Sequence, residues 1–247
     1  MHRTIETAVD PHVETFISNP NFAGKKHHHE SFDGLLLAED KCVVFECKGG
    51  FLSGSAKYAD NLEAYVTELD KKFGSGERAG IEQLTRKISE VFARRPSERR
   101  SVENANLTAV KTIIPVLVVQ DGFVSSLFTT PWPAKTFRDQ MRKIADLDRR
   151  VVLTSLLVLH VEDVETLAAY AKSGVISLTQ CLADISQMGD PRPGRLFSFD
   201  IAFRSYLGDR RVSGVRAGAL DKQFVELLDR LCLRIFGHRF NTDEQPH

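Results

Sequence analysis

Three residues in the first fifth of the chain have the types and spacing for phosphodiester chemistry: Asp33, Glu46 and Lys48. Residues two apart on a strand share a face, so Glu46 and Lys48 point the same way. Asp33 opens one apolar run and Glu46 closes the next, with the polar turn Glu39–Lys41 between them. Antiparallel pairing then brings Asp33 and Glu46 to the same end of a hairpin. Two carboxylates held close repel unless a cation lies between them. Oxygen-only ligands suit Mg²⁺ or Mn²⁺. A lysine beside them can stabilise a phosphate, or orient and help deprotonate a water. Together they can carry out metal-assisted phosphodiester hydrolysis.

The elements that must hold these residues are legible around them. Phe32–Ala38 and Cys42–Phe45 read as two β-rich apolar strands, and Gly49 and Gly50 end the second. Cys42, Val44, Glu46 and Lys48 fall on one face of that strand; Val43, Phe45 and Cys47 fall on the other. A strand apolar on both faces is buried, so its terminal charges sit at the rim of a covered sheet. Upstream, Ile5, Val9, Val13, Phe16 and Ile17 have helical spacing, with Pro11 as a kink or break. Downstream, Leu62, Tyr65, Val66, Leu69 and Phe73 predict a helix over Ala59–Phe73. Ile81, Leu84, Ile88, Val91 and Phe92 predict another, from Ile81 into the Ala93 region.

Val110–Gln120 reads as a strand that Pro115 should push to an edge or a bulge. Val151–Val161 reads as a further strand running into a helix over Glu162–Tyr170, with Glu162 and Asp163 as first-turn acids. Phe123–Ala134, with Trp132 between prolines, reads as an interaction or substrate loop. Leu178–Leu207 is helical in pieces, broken at Asp190–Gly194, and Phe224–Phe236 is the last strong helix before a frayed tail, Asn241–His247. The order implies an α/β (α+β) fold, a central sheet covered by helices. Residues 1–122 form its core; residues 123–247 complete the sheet and add C-terminal helices within the same compact domain. Those helices are a candidate surface for a homodimer or a partner protein.

The segment Ser31-Phe32-Asp33-Gly34 followed by Val43-Val44-Phe45-Glu46-Cys47-Lys48 resembles the PD-(D/E)XK nuclease superfamily and its nuclease-related branch. Gly80-Ile81-Glu82-Gln83-Leu84 opens the helix after the hairpin and matches the glutamine that recurs there. The resemblance covers roughly residues 5 to 120. It implies a restriction-endonuclease-like mixed sheet, Asp33 and Glu46 as metal ligands, Lys48 as the catalytic lysine and Gln83 as a supporting residue. An acid on the first helix completes such sites, and Glu14 is the best candidate, ahead of Glu6. Phe32 stands where the family has proline. The family's strand before the Asp strand must lie within Asn21–His29. DNA is the preferred substrate, and defence or repair the implied setting. The alternative is a catalytically inactive module of the same fold that binds nucleic acid or a partner protein.

Composition sets further bounds. The 247 residues are 42% hydrophobic and 27% charged, with a net charge of zero, so a nucleic-acid partner must be gripped by a local patch. Arg94, Arg95, Arg99 and Arg100 form one basic cluster, and Arg149–Arg150 and Arg210–Arg211 form others; solvated loops are the favoured reading of all three. The run His27–His29 is better read as a polar loop than as a metal site, although His29 or Glu30, being nearest the hairpin, could still touch phosphate or metal. None of the four cysteines stands in a C-x-x-C pair, and Cys42 and Cys47 face opposite ways. Reduced thiols, an N-terminus lacking an apolar signal core and the lack of any long apolar span point to a cytoplasmic protein away from the membrane.

Overall fold

The structure is a computed structural model that describes residues 1–23, 31–58, 61–76, 78–95, 101–126, 129–144, 147–188 and 198–211. Lys25–Glu30, Arg99–Arg100, Asp190–Gly194, Phe224–Phe236 and the tail lie outside them.

The fold is mixed α/β, a central sheet with helices on both faces. Strands β1 (Thr15–Ser18), β2 (Gly34–Ala38) and β3 (Lys41–Lys48) pair antiparallel; β4 (Thr112–Val119) runs parallel to β3. On its other side β4 pairs in parallel with β5 (Val152–Leu153) and then β6 (Leu157–His160). The chain passes from β3 to β4 through α2 (Gly54–Tyr58), α3 (Leu62–Leu69), a π-helical turn (Asp70–Gly74) and α4 (Gly80–Val91). The helices α5 (Pro131–Ile144), α6 (Val161–Lys172), α7 (Leu178–Met188) and α8 (Phe199–Asp209) follow, and α1 (His2–Glu6) precedes the sheet.

Side-chain alternation along the central strands divides the core in two. Cys42 and Val44 of β3, with Ile113 and Leu117 of β4, face Ile81, Leu84 and Ile88 of α4 and Phe137 and Met141 of α5. Val43, Phe45, Ile114 and Val116 face Val164 and Leu167 of α6, Leu182 and Ile185 of α7 and Phe203 of α8. Each fully buried aliphatic or Phe side chain contributes about 1.5–3 kcal/mol. The α4 stripe therefore fixes that helix firmly over the face that carries Glu46 and Lys48. The opposite orientations of Cys42 and Cys47 hold as expected: Cys42 lies in the first core and Cys47 packs against the second.

Five readings differ from expectation. The helix predicted over Ile5–Ile17 is α1 plus β1, joined by a turn in which Asp10 accepts the amides of His12, Val13 and Glu14. Phe16 packs on the second core and Ile17 on the first, which is strand alternation rather than a helical stripe. So β1 is the strand before the Asp strand, and Asn21–Ala23 supplies only a bridge from Phe22 to Val102. The helix over Ala59–Phe73 is α3 continued by the π-helical turn. Phe123–Ala134 is not all loop, because α5 begins at Pro131 and packs Trp132 against the first core.

Pro115, expected at an edge or bulge, sits in the central strand β4 opposite Val44. In a parallel strand alternate residues direct their amides to the same neighbour. Ile113 accepts from Thr154 N on the β5–β6 side, so the position without an N–H also faces that side. There the neighbouring strand is interrupted between Leu153 and Leu157. The proline meets a gap, and no ladder bond is lost.

No described helix is long and apolar enough to cross a membrane.

Candidate active site

Asp33 precedes β2, donating its amide to Phe45 O (3.1 Å) while its Oδ2 accepts the amide of Cys47 (2.5 Å). Its backbone thus bonds the residue before Glu46 and its side chain the residue after it. That clasp holds the Asp33 carboxylate against the end of β3. Glu46 is 2% exposed. A carboxylate so buried must be paired, and two ammonium groups meet it. Lys48 Nζ lies 3.1 Å from Oε1 and Lys87 Nζ 2.8 Å from Oε2.

Lys48 Nζ also donates to Gln83 Oε1, joining β3 to the first turn of α4. Gly80 makes that approach feasible. A Cβ there would lie 2.8 Å from Leu117 Cδ1, 2.9 Å from Lys48 Cγ and 3.2 Å from Lys48 Cε. The lysine stem passes through space that any side chain at position 80 would fill.

Asp33, Glu46, Lys48 and Gln83 therefore meet at one end of the sheet, as the hairpin reading expects. Glu14 does not join them. Thr15 pairs with Leu37 and Ser18 with Gly34, so Glu14 lies beyond the end of β1 that is farther from Asp33. Its Oε1 accepts Ser177 Oγ (2.9 Å) and the Thr179 amide (2.7 Å). A carboxylate on free amides at the start of α7 is helix-terminal anchoring. Glu6 ends the short α1.

Lys87 was missed in the sequence. A helical lysine is ordinarily solvated, yet this one is 9% exposed. The available signal is spacing: Lys87 is four residues from Gln83 and next to Ile88 of the buried stripe, so it shares the face that looks at Glu46.

Among the described residues no group of three or more His, Cys, Asp or Glu side chains forms a ready metal cage. The all-oxygen pair Asp33 and Glu46 is the donor set this site offers. The neighbouring thiol of Cys47 is pushed up to about 12, first by burial and then by the negative charges of Asp33 and Glu46. Cys47 is accordingly a neutral packing group, not a soft ligand.

The acids around His160 are structural, as expected. His160 is the N-cap of α6, with Asp163 Oδ2 accepting the His160 amide at 2.7 Å. Arg150 pairs with Asp148, and Arg210 pairs with Asp184 and stacks over Tyr206.

No protein-family model matches the chain, and no curated protein matches it. Among solved structures, it is similar to the small subunit of the heterodimeric restriction endonuclease R.BspD6I. The two share 9% identity over 85% of this chain and 86% of that one, with a TM-score of 0.36.

Proposed function

We propose that the chain is a PD-(D/E)XK-type nuclease, dependent on Mg²⁺ or Mn²⁺, that hydrolyses phosphodiester bonds of nucleic acid, DNA in preference to RNA, in a defence or repair setting. The observation that carries this reading is the junction of Lys48 Nζ with Glu46 Oε1 and Gln83 Oε1, at the sheet end where Asp33 is clasped to Cys47.

Asp33 and Glu46 would hold the cation. The fit is reasonable, since Mg²⁺ is commonly bound through one or two carboxylates, with waters and substrate phosphates as its remaining ligands. When bound, such a cation supplies Lewis acidity toward the phosphate and lowers the pKa of the attacking water.

The chain's own groups do the rest. An ammonium has three N–H donors. Lys48 directs two of them to Glu46 and Gln83, leaving the third to orient a water or a phosphate oxygen. Gln83 fixes the position of Lys48. Lys87 balances the charge of Glu46 from the helix side.

A second reading, a catalytically silent module that binds nucleic acid or a partner protein, is favoured by one observation. Both oxygens of Glu46 are ion-paired to lysines, so the site is charge-balanced without a metal. Calorimetric titration with Mn²⁺ separates the two. Uptake by wild type that Glu46→Gln abolishes supports the nuclease reading; no uptake by wild type supports the silent module.

A further inference from the structure

Just past Lys48, the chain fixes three aromatic rings in solvent. Phe51 is 52% exposed, Tyr58 78% and Phe123 38%. Rings clustered at a surface expose apolar area that folding would otherwise cover, and such patches mark binding sites.

These rings are held, not loose. Asp121 is only 2% exposed and fastens all three ring-bearing segments. It accepts the amide of Leu52 (2.7 Å), which follows Phe51, and the amide of Phe123 (3.0 Å). It also pairs with Lys57 (2.8 Å), which precedes Tyr58. The Lys57 ammonium lies 5.7 Å from the Phe51 centroid and 5.1 Å from that of Phe123, and Tyr58 packs edge-on to Phe123 at 5.9 Å. From the other side Lys72 donates to Phe51 O and pairs with Glu68, whose carboxylate accepts from the Ser53 amide and hydroxyl. A buried carboxylate is thus committed to presenting rings that the fold leaves uncovered.

We propose that Phe51, Tyr58 and Phe123 form a stacking platform for the unpaired bases of a single nucleic-acid strand whose backbone reaches the Lys48 site. The identity of the strand rests on the nuclease reading. One observation and two general properties of bases and rings select this occupant. The platform stands at the sheet end that carries Lys48, because Phe51 follows Lys48 by three residues and lies within about 11 Å of it along the chain. Aromatic faces accept any base without sequence preference. Base faces are covered inside a duplex, so only unpaired bases can lie on the rings.

The test is fluorescence anisotropy in EDTA, where no cleavage occurs, with a dye-labelled oligothymidine and a blunt duplex of equal length. Wild type should prefer the single strand. Phe51→Ala, Tyr58→Ala and Phe123→Ala should each weaken single-strand binding about tenfold and leave duplex binding unchanged, while Tyr58→Phe retains wild-type affinity. Alanine variants that bind the single strand like wild type would overturn the platform. So would equal losses on strand and duplex, or a wild-type dimer in light scattering that Tyr58→Ala dissolves without any effect on oligonucleotide binding. Ring-dependent binding without Mn²⁺-dependent cleavage would sustain the platform and sink the nuclease reading. Cleavage of the single strand at the wild-type rate by all three alanine variants would do the reverse.

Discussion

The Lys87 ammonium and the Glu46 carboxylate form a buried ion pair, 2.8 Å long, that ties the middle of α4 to the end of β3. Removing one partner of such a pair leaves an uncompensated charge in a poorly solvated place. Lys87→Met should therefore lower stability by about 3 kcal/mol, at the low end of the range for buried pairs because Lys48 still faces Glu46. Urea unfolding with an unchanged slope checks this. A loss of under about 1 kcal/mol would mean that the pair behaves like a surface one.

Gly80 tests the route of Lys48. A methyl at position 80 meets Leu117 and the Lys48 stem at 2.8–3.2 Å. Gly80→Ala should push Lys48 away from Gln83 and cost about 1–3 kcal/mol through overpacking. The same change would add stability at an open helical position. A more stable Gly80→Ala protein would contradict the crowding.

The thiol of Cys47 is pushed up to about 12 by burial and by Asp33 and Glu46. Only the thiolate reacts with alkylating reagents. Native protein at pH 8 should leave Cys47 unmodified by iodoacetamide, while urea exposes it to rapid labelling. Mass spectrometry reads both, and fast native labelling of Cys47 would refute the assignment.

Acid should loosen the ring-bearing segments only as the pH falls below the ordinary carboxyl value of 3.8. Burial raises the Asp121 carboxyl, yet hydrogen bonds from Lys57 and the amides of Leu52 and Phe123 outweigh it and hold the group below its ordinary value of 3.8. Glu68 is lowered to about 2 by hydrogen bonds from Lys72 and Ser53. A depressed carboxyl contributes stability that is full above its unfolded value and is lost as the pH falls through the lower folded one. Carbon-detected NMR titration should find both midpoints below those of free carboxyls. A midpoint for Asp121 at or above 3.8 would mean that its amide and lysine contacts do not persist in solution.

The hairpin and the glutamine helix were legible because their signals are local. A short apolar run buried on both faces marks β3, and the helical period of α4 runs from Ile81 to Val91. Strand alternation relates Glu46 to Lys48, and antiparallel pairing across the Glu39–Lys41 turn brings Asp33 to the same end. The parts that were not legible depend on distant partners. Val9, Val13 and Phe16 fit a helical stripe by spacing, yet Pro11 and the Asp10 turn divide that segment, and pairing with β2 makes its second half a strand. The resemblance places Glu14 on a first helix, but the residue precedes β1 at the end of that strand farther from Asp33. Pro115 reads as an edge marker until the interruption between β5 and β6 is known. Lys87 and Asp121 each acquire their role from residues 41 or more positions away, and no local pattern announces that.

The most direct test is cleavage of single-stranded DNA, duplex DNA and RNA with Mg²⁺ or Mn²⁺ by wild type, Glu46→Gln and Lys48→Ala, each shown to be folded. Wild type should cleave in a metal-dependent manner, with DNA the better substrate. Lys48→Ala should lose about 10²–10⁴-fold, and Glu46→Gln should lose both activity and Mn²⁺ uptake. A folded wild type that cuts no substrate with either metal, or variants that cut as fast as wild type, would contradict the assignment of this site as a nuclease centre.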